Sequence, residues 1–273
     1  MLILFLLCAP AFAKKCFAVS DDFGFDFTQA ELEYGFRNGV FKNYDGQAPD
    51  AYGYGGITDP VKYLKDRYGA KTVILIEGPY VLSVQNRSQS ALNNSLPDDL
   101  KGKGTCSLTA IAMFMDYFRA ERGYSNIESN IYVLYEYIVR NSSLLFGGTN
   151  PFKIDNYVTN CFNYYGYSNV RGHTDNTNKI SKIKSEIDEG RPVIMSLSQG
   201  YYGNHTIVIR GYSVYQVTKK GFLGIGTTTN YLMLNVADGW GTSGTVYLDV
   251  EGLDWDAAGS FGLVWNMVRA IEE

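Results

Sequence analysis

The chain has 273 residues, 45% hydrophobic and 19% charged, with 22 tyrosines, 15 phenylalanines and 3 tryptophans, enough apolar surface for a large folded domain and too much for a disordered chain. The net charge is −4, and no long run of Lys or Arg occurs, which argues against a nucleic-acid partner. Four cysteines and two histidines, with no Cys-x-x-Cys and no His-Glu-x-x-His, argue against a disulfide scaffold and a zinc site; no metal and no organic cofactor is expected.

Residues 1–13 (MLILFLLCAPAFA) form a short apolar run ending in Ala11-Phe12-Ala13, ahead of Lys14-Lys15. The run is too short to cross a bilayer, and Ala-x-Ala fits a secretory cleavage site, so 1–13 reads as a signal peptide and the chain as secreted. No later stretch is long enough for stable membrane insertion. Cleavage would leave Cys16, Cys106 and Cys161, an odd number, so at least one thiol has no partner within the chain. Residues 14–60 are rich in aromatics, Gly and Asp without clear periodicity, and read as an N-terminal extension or pro-segment ahead of a domain over 61–273.

Asp59-Pro60 opens a short helix that Gly69 caps. Residues 72–84 (TVILIEGPYVLSV) read as a buried strand broken at Gly78-Pro79, and a polar loop follows from Gln85 to Gly104. From 106 to 120, Leu108, Ile111, Ala112, Met115 and Phe118 recur at helical spacing, predicting a helix with one core face. Further helices are expected over 125–140, 151–165 and 177–189, the last ending at Gly190-Arg191-Pro192. The pattern then changes to strands over 193–198, 205–217, 230–237, 245–250 and within 261–268, with a hairpin tip around Lys219-Lys220-Gly221. Helices first and an antiparallel sheet after them give an α+β fold.

Three residues stand where chemistry needs them. Cys106 begins the strongest helix, where the positive end of the macrodipole favours thiolate. His205 opens an apolar strand, a position from which its ring can face a cleft and serve a thiol as general base. Asp238 ends the strand before Gly239-Trp240, placed to orient that base; Asn235, three residues earlier, faces the other side of a regular strand. His173, in Arg171-Gly172-His173-Thr174, reads as a solvated loop residue.

The order of these contexts resembles the papain-like cysteine peptidases. Cys106-Ser107-Leu108-Thr109-Ala110 resembles the helix start of the bacterial branch related to the bacteriocin-leader, or double-glycine, peptidases. Gly190-Arg191-Pro192-Val193-Ile194, His205 through Tyr212, and Asp238-Gly239-Trp240-Gly241 resemble that branch's later blocks. The likeness covers about 75–250 and leaves out the N-terminal third. It implies a papain-like fold with the nucleophile helix packed on a C-terminal antiparallel sheet, and a Cys106-His205-Asp238 triad hydrolysing a peptide or protein substrate. Two positions depart from the pattern. Ser107 replaces the glycine after the nucleophile. The oxyanion-hole amide falls on Gln85, 21 residues before Cys106, with Gln89, Asn93 and Asn94 as alternatives. The same constellation also serves amidases and acyltransferases, or persists in an inactive binding protein.

Overall fold

The computed structural model describes residues 57–145, 148–175, 180–198, 205–219, 226–240, 245–250, 253–254 and 262–273. The expected leader and most of the 14–60 extension lie outside the described residues, as does most of the expected hairpin tip.

Ile57 exchanges backbone hydrogen bonds with Tyr247. Helix α1 (Pro60–Tyr68) follows, with the Asp59 carboxylate accepting from the Lys62 N–H and Gly69 closing its end at φ 61°. Strand β1 (Ala70–Val81) then pairs antiparallel with the far half of β6, its register shifting between Glu77 and Tyr80, at Gly78-Pro79. The irregularity falls at the expected Gly78-Pro79, but the expectation of burial is corrected. Ile74, Leu75, Ile76, Tyr80 and Val81 are all exposed, because β1 is an edge strand bonded along one side to β6. The expected polar loop contains a short helix, α2 (Gln89–Asn94), whose first turn is capped by the Ser88 hydroxyl.

Helix α3 (Cys106–Glu121) is capped by Thr105, whose hydroxyl accepts from the Leu108 N–H. It is buried all round from Ser107 to Phe118 rather than on one face. The reason is its place: it lies between the sheet and helices α4 (Ile131–Arg140) and α5 (Ile154–Tyr164), so it has no solvent side over three turns. Asp116, buried in this helix, is neutralised by Arg87 and Arg119. A two-strand ribbon of β2 (Leu144–Leu145) and β3 (Gly148–Thr149) separates α4 from α5.

The main sheet runs β4 (Val170–Asp175), β10 (Gly262–Glu272), β5 (Val193–Ser198), β6 (His205–Lys219), β7 (Thr227–Ala237) and β8 (Val246–Asp249), with β1 also on β6 and β9 (Leu253–Asp254) on β10. All pairings are antiparallel except β9 with β10. Alternation along the strands sends Ile194 and Val208 to the α3 side and Val193, Met195, Leu197, Ile207 and Ile209 to the other. Those residues meet α1 and helix α6 (Ile180–Asp188), so both faces of the sheet are covered. The class is α+β, as expected, consistent with a papain-like fold. His173 sits on strand β4, not in a loop, and its Nε2 is 3.7 Å from Asp175. Among the described residues no helix is long and apolar enough to cross a membrane.

Candidate active site

The end of α3 that carries Cys106 is pinned to the start of β6. The Ser107 hydroxyl lies 2.8 Å from that of Thr206, and both side chains are buried. A hydroxyl in place of the usual glycine therefore faces the helix–sheet seam and makes a bond worth about 1 kcal/mol. On the other side, Thr105 shares a hydrogen bond with Thr149 at 2.5 Å. Cys106 itself keeps part of its surface open to solvent.

His205 is the first residue of β6, paired across from Leu197 of β5, and its side chain lies near enough to Cys106 for the two to interact electrostatically. Its Nε2 lies 2.6 Å from the backbone carbonyl of Asp238. A carbonyl only accepts, so Nε2 carries the hydrogen, and in the neutral ring Nδ1 is the basic nitrogen left for the thiol. Trp240 stacks on the ring at 4.5 Å between centroids, tilted by 24°, and covers that bond.

Asp238 thus reaches the base in a way the sequence does not reveal. Its carbonyl, not its carboxylate, takes the ring hydrogen. The carboxylate is buried and accepts from Asn86 Nδ2 and from the Trp240 N–H, each at 3.0 Å, acting on the imidazole through its charge. Asn86 also accepts from the Gly239 N–H at 3.0 Å, and the Gln89 N–H donates to the Gly239 carbonyl at 2.6 Å. Gly239 turns at φ 78°, a conformation that favours glycine. The segment 86–89 therefore clamps the turn that holds the histidine. Asn86 had no signal in the sequence beyond lying next to Gln85. Asn235 is engaged elsewhere, its amide oxygen accepting from Arg210 Nε at 2.8 Å.

Electrostatics agree with the geometry. Burial alone would push the Cys106 thiol up; the hydrogen bond and charge of His205, helped by the Thr206 N–H and hydroxyl, outweigh it and bring the thiol down to about 7. Burial alone would pull His205 down, and the Cys106 partner together with Asp238 raises it above its ordinary value. Cys161, buried with no such partner, is pushed up to about 12 by burial. The arrangement can form a thiolate beside an imidazolium, a nucleophile and a proton donor in one cleft.

The structure therefore brings Cys106, His205 and Asp238 together. Gln85 does not join them through its amide: the side chain is exposed, and Nε2 donates to the Ser83 carbonyl at 3.1 Å. Among the described residues, no three His, Cys, Asp or Glu side chains are grouped to hold a metal. No curated protein and no solved structure matches the chain. A family model does: the one described as "Peptidase_C39 like family" matches residues 81–267, which include every residue of the site just described. The chain belongs to this peptidase C39-like family, a branch of the papain-like cysteine peptidases of bacteriocin-processing type.

Proposed function

We propose that the protein is an exported bacterial thiol peptidase in which Cys106 is the nucleophile, His205 the general acid and base, and Asp238 the residue that orients the base. The observation that carries this reading is the His205 ring fixed by the Asp238 carbonyl at 2.6 Å and interacting with Cys106 at the start of α3. His205 takes the Cys106 proton on Nδ1, and the thiolate attacks the carbonyl carbon of the scissile bond. The resulting oxyanion falls beside the Cys106 N–H, one of the helix-start donors that lack an intrahelical acceptor. The imidazolium then returns its proton to the leaving amine as the C–N bond breaks. Water, deprotonated by the same imidazole, releases the acyl group from sulfur.

Export rests on the apolar run and Ala11-Phe12-Ala13 at the chain's start, and is tested by N-terminal sequencing of protein from culture medium: a start near Lys14 supports it, and cytoplasmic protein with Met1 intact contradicts it. The same sequencing assigns 14–60. A second start beyond residue 60 marks a pro-segment, and a single start near Lys14 marks a retained extension. Peptidase activity is tested by incubating wild type and Cys106→Ala with a peptide library. Cleavage by wild type alone supports the reading. New amide products in place of free carboxylates would indicate acyl transfer, and no cleavage by either would indicate a binding protein on the same fold.

A further inference from the structure

The sheet face that α3 covers turns polar beside the nucleophile. Ile194 on β5 and Val208 on β6 are fully buried there, but two residues along each strand stand Ser196 and Thr206, paired across the ladder. Both are buried, and so is Ser107 of α3. Thr206 Oγ1 lies 2.8 Å from Ser107 Oγ and 3.4 Å from Ser196 Oγ. Apolar residues of the same shape would serve the fold about equally well, since a buried hydroxyl must first give up its water. The hydroxyls stand instead where the chemistry is: Ser107 follows Cys106, and Thr206 follows His205.

A hydroxyl carries one hydrogen and two lone pairs. Thr206 lies near enough to Cys106 to favour its thiolate through both N–H and hydroxyl. To serve the sulfur, the Thr206 hydroxyl must point its single hydrogen there, which leaves its oxygen to accept from Ser107. Donation to an anion strengthens that second bond in turn, because each hydrogen bond in a chain polarises the next. The reverse direction would aim the Thr206 hydrogen at a neutral oxygen beside a charged sulfur. The titratable groups facing Cys106 are His205 on β6, with Asp238 behind it, and Tyr135 on α4, whose hydroxyl burial raises to about 12. None of these is removed by changing residue 107 or 206.

We propose that Ser107 and Thr206 form a hydroxyl relay that holds the Cys106 thiolate, Thr206 donating to the sulfur and Ser107, a positioning residue, donating to Thr206. This rests on the thiol-peptidase reading and gives the serine that replaces the usual glycine a part in the chemistry.

The pH dependence of Cys106 alkylation by iodoacetamide, read by mass spectrometry on the full chain, is the test. Wild type should have its midpoint at about 7. Thr206→Val keeps the branched shape and removes the hydroxyl, and its midpoint should rise by about one unit, a tenfold loss of thiolate at pH values below the midpoint. Thr206→Ser should return it to near the wild-type value; a midpoint as high as that of Thr206→Val would mean lost packing and overturn the relay. Ser107→Ala should raise the midpoint by about half a unit. If Thr206 instead donated to Ser107, the same variant would free a hydrogen for the sulfur and lower the midpoint, which would also overturn the relay. Combining Ser107→Ala with Thr206→Val should shift the midpoint no further than Thr206→Val alone, because Ser107 acts only through Thr206. A shift equal to the sum would show independent action and refute the relay. Urea stability lost with every midpoint left at about 7 would reduce both hydroxyls to packing. Should Thr206→Val not fold, the sign of the Ser107→Ala shift still decides. A peptide library left uncut by wild type would overturn the peptidase reading alone, since alkylation needs no peptide substrate.

Discussion

Truncating Asp238 separates an orienting carboxylate from an orienting backbone. If the carboxylate held the ring N–H directly, its loss would cost about 10⁴ in kcat, as removing such an acceptor does in triad enzymes. Here the acceptor is the main-chain carbonyl, which Asp238→Ala keeps. What the variant loses is two hydrogen bonds into a buried carboxylate, from Asn86 Nδ2 and the Trp240 N–H, each worth about 1.5–3 kcal/mol. The turn 238–240 should be loosened by roughly 3 kcal/mol, and kcat should fall about 10–10²-fold, as the carbonyl leaves its place more often. Asp238→Asn keeps an oxygen for both donors and should stay within about tenfold of wild type, with a smaller loss of stability. Urea denaturation gives the stability, and steady-state cleavage of the best library peptide gives kcat. A fall of 10³ or more in Asp238→Asn, with stability unchanged, would refute the carbonyl as the orienting group.

Iodoacetamide alkylation of Cys106 should rise with pH through about 7, two units below the ordinary thiol value, whereas Cys161 should stay unlabelled in native protein. Cleavage should be bell-shaped in pH, rising as the thiol ionises near 7 and falling as His205 loses its proton at its raised value. In Cys106→Ala, His205 loses the partner that raises it, so its pKa, followed by NMR of the ring protons, should drop; an unchanged value would contradict the pairing. Asp175→Asn should cost about 3 kcal/mol in denaturant unfolding, because buried Asp175 pairs with Arg269 and Lys182. Burial would raise the Asp175 carboxyl, but those two cations hold it below 3.8, so its contribution is complete above that value and is lost as pH falls through the lower folded one.

Much of this architecture is legible in the residues. The spacing of Leu108, Ile111, Met115 and Phe118 locates α3, and the change from helical to alternating pattern at Pro192 locates the sheet. Cys106 and His205 are readable because a helix start and a strand start restrict where their side chains go. Other features depend on partners that the local sequence does not name. The run Val73–Ile76 reads as interior, yet it lies on an edge strand, because apolar content does not say how many neighbours a strand has. Helix α2 is six residues long, too short for a periodic signal, and hides in a polar stretch. The part Asp238 plays through its carbonyl depends on the backbone path of the Gly239 turn and on Asn86, 152 residues away in sequence. Residue type carries no trace of either.

The central claim is that peptide hydrolysis proceeds through the sulfur of Cys106. Titrating the protein with substoichiometric iodoacetamide at pH 7, and measuring Cys106 occupancy by mass spectrometry alongside the cleavage rate, tests it most directly. The rate should fall in proportion to Cys106 occupancy and reach zero when the site is fully alkylated. Cleavage that persists with Cys106 fully blocked would contradict it.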